Sequence, residues 1–144
     1  MPSPLRYWYD IDEIQGCVFI LRTGEYSHKK WMPIIDLINT DARLKPGMNR
    51  IHAYGPDSTT PTTAQTHHLA EKFQRIDSEL GTRKVAFIAT ESHRFGMLRM
   101  YENLRNQEHS SYLVCRTFDE AKKWVGLPSD YQDPFPPFDQ MKET

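Results

Sequence analysis

Hydroxyl and basic side chains recur where apolar runs hand over to helical patterns: at Ser27-His28, at Ser58-Thr59-Thr60, from Thr90 to Arg94, and at Arg116-Thr117. Hydroxyls hydrogen-bond oxyanions and accept phosphoryl groups, while imidazole and guanidinium add positive charge. If the preceding runs are parallel strands, their carboxyl ends share one sheet edge. Helices start there, with free N–H groups and positive dipole ends directed outward. Such a rim suits a phosphate or a carboxylate. The plainer reading is that these residues only cap helices, as Ser and Thr commonly do. Ser27, Ser58, Thr59, Thr60, Ser92, His93 and Arg94 together make the candidate site for a partner, an anion or a phosphorylation switch.

Other chemistries find less support. His67 and His68 are adjacent, so on a helix they face about 100° apart and cannot grip one ion together. No histidine pair has helical i, i+4 spacing, no His-Glu-x-x-His or Cys-x-x-Cys occurs, and His52 and His109 are isolated. A metal is therefore not expected. Nucleophilic catalysis needs an activated Ser or Cys beside a base. Cys17 and Cys115 fall inside predicted strands, where cysteine acts as a small hydrophobe, and there is no Gly-x-Ser-x-Gly elbow. Asp10 and Asp12 lie near a sheet edge, and Asp119-Glu120 open a helix, where acids favour the dipole. Gly24, Gly55 and Gly96 form no phosphate-binding fingerprint. The expectation is a protein without catalytic residues or a cofactor.

The elements that would position the rim follow from periodicity. Leu5, Tyr7, Tyr9 and Ile11 alternate as in a half-exposed edge strand, and Asp12 to Gly16 forms a turn. Cys17 to Leu21 reads as a strand buried on both faces, antiparallel to the first because the connection is so short. A first helix carries Trp31, Ile34, Ile35 and Ile38 inward, with Pro33 either in its first turn or kinking it. It stops around Asn39 to Arg43, and Lys45-Pro46-Gly47 turns the chain. Asn49 to Tyr54 takes the next strand position, although it is polar for a central strand.

Thr60 or Thr62 caps the second helix, Pro61 suits its first position, and Thr62 with Gln65 has capping-box spacing. Leu69, Phe73, Ile76 and Leu80 form its core stripe, and Gly81 ends it. Arg83 to Thr90 contains a buried strand. Met97, Leu98, Tyr101 and Leu104 face inward from a third helix, Tyr112 to Cys115 is the last strand, and Phe118 to Val125 a closing helix burying Ala121, Trp124 and Val125. Every strand from Cys17 onward is followed by a helix. The expected fold is single-domain α/β: a mixed, mostly parallel five-stranded sheet with four helices and an antiparallel N-terminal strand.

The chain has 144 residues, enough for one domain with a substantial core. With 18 basic and 19 acidic residues its formal net charge is −1, and no basic stripe emerges, so nucleic acid is not an expected partner. Apolar runs are of strand length, too short to span a bilayer. The N-terminus lacks the apolar region of a secretory signal, and two thiols in predicted strands fit a reducing cytoplasm. Residues 1–127 read as the domain and 128–144 as a tail. In that tail Tyr131, Phe135 and Phe138 alternate with Pro134, Pro136 and Pro137, either docking on a partner or folding back over an apolar patch.

Several segments resemble small bacterial proteins with the STAS-like fold, that of the anti-sigma-factor antagonists. They are Leu21 to Trp31 with Thr23-Gly24-Glu25-Tyr26, Asp41 to Met48, Arg83 to Ala89, Phe95-Gly96-Met97-Leu98-Arg99-Met100-Tyr101-Glu102, and Phe118 to Trp124. The likeness spans about residues 6 to 127. It implies a β-α superhelix and a non-enzymatic regulatory or protein-interaction role. In the antagonists a serine opening the second helix is phosphorylated to switch partner binding, and the matching loop here is Asp57-Ser58-Thr59-Thr60. Thr60-Pro61 stands where that pattern has a glycine. The alternative expectation is a small-molecule or lipid carrier that visits membranes, motivated by the aromatic tail and the Met/Tyr-rich third helix.

Overall fold

The computed structural model describes residues 3–55, 57–81, 83–91, 94, 96, 98, 99 and 110–137, and the backbone of 142 and 143. Strands β1 (Arg6–Asp12), β2 (Cys17–Thr23), β3 (Asn49–Tyr54), β4 (Arg83–Ile88) and β5 (Ser110–Cys115) form one mixed sheet, with helices α1 (His28–Asn39), α2 (Thr63–Leu80) and α3 (Phe118–Val125). A two-residue strand β6 (Lys142–Glu143) joins beside Arg6 and Tyr7. The order is β5-β4-β3-β2-β1-β6. β1 runs antiparallel to β2, while β2, β3, β4 and β5 run parallel.

That order has a direct consequence. Three successive crossovers step the same way across the sheet, and right-handed crossovers then put their helices on one face. The core matches: Trp31, Ile34, Ile35 and Ile38 of α1 and Leu69, Ala70 and Phe73 of α2 pack with Val18, Ile20, Val85 and Phe87. The opposite face holds Cys17, Phe19, Ile51, Ala86 and Cys115 under Ala121 and Val125 of α3. Three of the four expected helices are found among the described residues. The expected third helix falls mainly outside them, although Arg94, Gly96, Leu98 and Arg99 have helical backbone.

Local chemistry sets the ends. Ser27 caps α1, and Pro33 sits inside that helix rather than in its first turn. Thr62 caps α2 with Gln65 completing a capping box, so Pro61 precedes the cap instead of occupying the first helical position. Gly24 (φ +83°) turns the chain after β2 so closely that a Cβ would lie 2.0 Å from the Pro4 carbonyl oxygen. Only glycine fits there.

The tail returns to its own domain. Tyr131 stacks on Phe19 at 5.7 Å and hydrogen-bonds Asp12 (2.7 Å), and Phe135 meets Trp8, Phe19 and Phe118 edge-on. Phe138 lies outside the described residues. The tail does contribute a strand, β6, which the proline-rich sequence did not announce.

Candidate functional site

Parallel pairing puts side chains with equal register on the same face. One row under α1 and α2 reads Val18, Arg50, Val85, Tyr112; the next reads Ile20, His52, Phe87, Val114; the last pairs Arg22 with Tyr54 at the carboxyl ends of β2 and β3. Three of these positions are basic, and Arg83 begins β4 below them. Between this face and α2 lies a cavity of about 70 Å³. Its floor and walls include Arg50, His52, Arg83, Val85 and Phe87 from the sheet and Thr66, Leu69 and Phe73 from α2. Its mouth is formed by Arg22, Tyr26, Tyr54, Thr60, Pro61 and Arg94. The polarity of β3 thus has a physical reason: Arg50 and His52 line a cavity rather than a close-packed core.

The two ends treat positive charge differently. At the floor, buried Arg83 donates to Asp77 of α2, which also accepts from the Tyr112 hydroxyl. Nearby, Arg50 donates to the Asn39 side chain at the end of α1. At the mouth, Arg22 is only 6% exposed and no carboxylate meets it among the described residues. Its Cζ lies 4.7 Å from the Tyr26 ring centre, 5.1 Å from Tyr54 and 5.4 Å from Trp31. Its Nε and Nη1 are buried without a hydrogen-bond acceptor among the described residues. Burial pushes the Arg22 pKa down, and Arg94 pushes it the same way, against the pull of Tyr54 and Tyr26. Burial likewise raises the Tyr26 phenol to about 12, so both phenols stay neutral at ordinary pH.

Arg94, 5% exposed, places its Cζ 5.1 Å from the centre of the Tyr54 ring and donates to the Ser58 carbonyl. The β3–α2 loop is pinned from both sides. Thr59 Oγ1 accepts from the Tyr26 N–H (2.8 Å), the Thr59 N–H donates to the Gly24 carbonyl (3.1 Å), and Asp57 accepts from the Thr23 hydroxyl and the Gly24 N–H. Those bonds, the Thr23 hydroxyl first, hold the Asp57 carboxyl below its ordinary range. Beside the mouth, Tyr26 Oη lies 2.7 Å from His28 Nδ1, and His28 Nε2 lies 2.6 Å from His68 Nδ1, joining α1 to α2.

Among the seven candidate residues, Thr60 and Arg94 line the cavity and Thr59 braces its mouth. Ser58 is buried and its hydroxyl donates to the Gly55 carbonyl (2.7 Å), while Ser27 is occupied as the α1 cap. Ser92 and His93 lie outside the described residues. Arg116 reaches the Thr90 carbonyl, but Thr117 caps α3 on the opposite face and takes no part in the cavity. Sequence reasoning missed Arg22, Tyr26, His52 and Tyr54; the signal available was a basic or aromatic residue at every inward position of β3 and at the end of β2.

Cys17 and Cys115 are free thiols on the face away from the cavity, raised by burial to about 12 and about 11. Among the described residues no group of three or more His, Cys, Asp or Glu side chains is placed to hold a metal, and no helix is long and apolar enough to cross a membrane. No family model, curated protein or solved structure matches this chain.

Proposed function

We propose that this domain is a non-catalytic regulatory module of the STAS-like type that works by taking a small molecule into the cavity between its sheet and α2. The observation that carries this reading is the cavity itself: a concave, largely apolar space with convergent polar groups at the carboxyl ends of parallel strands. Its position supports coupling to a partner, because the loop over its mouth also forms the surface around Thr59 and Asp57. Occupation would reset the bonds that hold this loop to Gly24 and Tyr26. The inert, remote thiols and the engagement of the Thr66 hydroxyl with the Thr62 carbonyl (2.8 Å) favour binding over nucleophilic chemistry. The burial of Ser58 favours a ligand over phosphorylation of that hydroxyl as the switch.

A fragment screen by two-dimensional NMR tests this. Binders should shift the amides of Tyr26, His52, Tyr54 and Thr66, and Leu98→Trp, which enlarges a half-buried lining residue, should suppress them. Shifts confined to other surfaces, or indifferent to Leu98→Trp, would overturn the reading.

A further inference from the structure

The cavity has two unlike ends, and together they specify a ligand. Its mouth holds two guanidinium groups, Arg22 and Arg94, both buried and both facing the Tyr54 ring. At the floor the protein supplies Asp77 to Arg83, yet at the mouth it supplies no carboxylate among the described residues, only aromatic faces. Rings attract a cation but accept no in-plane N–H bond, so Arg22 Nε and Nη1 have no acceptor among the described residues. A buried charged donor without an acceptor is strongly unfavourable unless something else completes it.

We propose that the missing partner is the carboxylate of a small organic acid, held by Arg22 and Arg94, with its short apolar remainder against Leu69, Phe73 and Phe87. This rests on the binding reading above and names its ligand class. A carboxylate matches guanidinium donors in charge and geometry. The space, about 70 Å³, is small, which limits the acid to a few carbons unless side chains move. Leu69, Phe73, Val85 and Phe87 line the cavity beside His52 and Thr66, so a short alkyl group finds apolar wall there where a bare phosphate would turn some of its oxygens toward hydrocarbon.

Titration calorimetry on the full chain in chloride-free buffer, with butyrate, butyramide, butanol and inorganic phosphate, tests the assignment. Butyrate should bind at least tenfold more tightly than butyramide, and Arg22→Met should remove that preference. The comparison of acid with amide on the unaltered protein needs no variant, so a poorly folding Arg22→Met leaves the test intact. Equal binding of acid and amide would overturn the role of charge while keeping the cavity reading. Phosphate binding more tightly than butyrate would overturn the carboxylate class. If butyrate, butyramide and butanol all fail to bind, the inference falls, and the fragment screen decides separately whether the cavity reading falls with it.

Discussion

Replacing Arg22 by methionine should make the ligand-free protein more stable. Taking the guanidinium out of water costs several kcal/mol, and its two buried nitrogens without an acceptor among the described residues cost about 1–3 kcal/mol each. The three rings around the buried guanidinium return about 2 kcal/mol apiece. Methionine has nearly the length of the arginine stem, needs no acceptor, and keeps favourable sulfur–aromatic contacts with the same rings. It also removes the repulsion from Arg94 that lowers the Arg22 pKa. The net expectation is a gain of about 1–3 kcal/mol, on the pattern of buried charges replaced by apolar groups of similar shape. For a chain of this size that raises Tm by about 3–10 °C. Urea unfolding followed by circular dichroism should show a higher midpoint at unchanged slope. The measurement belongs in buffer with a bulky, weakly bound anion, because a small anion in the cavity would stabilise only the wild type. A methionine variant less stable than wild type under these conditions would refute the reasoning, since the guanidinium would then be a satisfied part of the core.

Three other perturbations separate structural from functional roles. Gly24→Ala should lose about 2 kcal/mol or more by thermal melting, because its φ of +83° disfavours a side chain and the Cβ meets the Pro4 carbonyl; an unchanged Tm would contradict the tight β2–α1 turn. Asp77→Asn should lose about 3–5 kcal/mol by urea unfolding, since it removes the carboxylate joining buried Arg83 to Tyr112; a loss below about 1 kcal/mol would mean that pair is not a core anchor. The His28–His68 contact should make the fold acid-sensitive. Burial first, and His68 second, lower the His28 pKa below its ordinary 6.5, so the folded chain binds fewer protons than the unfolded one. Stability is then full above pH 6.5 and declines as pH falls below it, by a modest amount given partial solvent screening. His28→Gln should flatten the Tm–pH curve between pH 7 and 5, and an identical slope in the variant would rule this link out.

Sheet direction and helix faces were readable because they follow from repetition. Apolar runs alternating with amphipathic stretches force crossovers, and the stripe at Leu69 and Phe73 had to meet a sheet. The antiparallel start, the Thr62 cap and the inward α1 face follow from the same reasoning. The rim was legible only in part, since strand ends gather Thr59, Thr60 and Arg94 but cannot say that Ser58 turns inward. Thr117 was misplaced because α3 leads into no parallel neighbour of β5: the strand described after it, β6, pairs with β1 at the far edge, and α3 covers the other face.

The cavity was illegible for a different reason. Arg50 and His52 lower the apparent strand character of β3, and a periodicity reading treats that as weakness, when it marks positions where helix and sheet do not close on each other. A basic residue at an inward position of a buried strand has to be neutralised by something packed against it. For Arg83 the answer was one helix away: Asp77 is the acid on the buried face of α2, and it lies beside Arg83 in the structure. Applied to Arg22, the same search finds Tyr26, Trp31 and Tyr54 but no acid among the described residues. Arg83 is answered from within the chain and Arg22, among the described residues, is not; that difference is what motivates the proposed carboxylate.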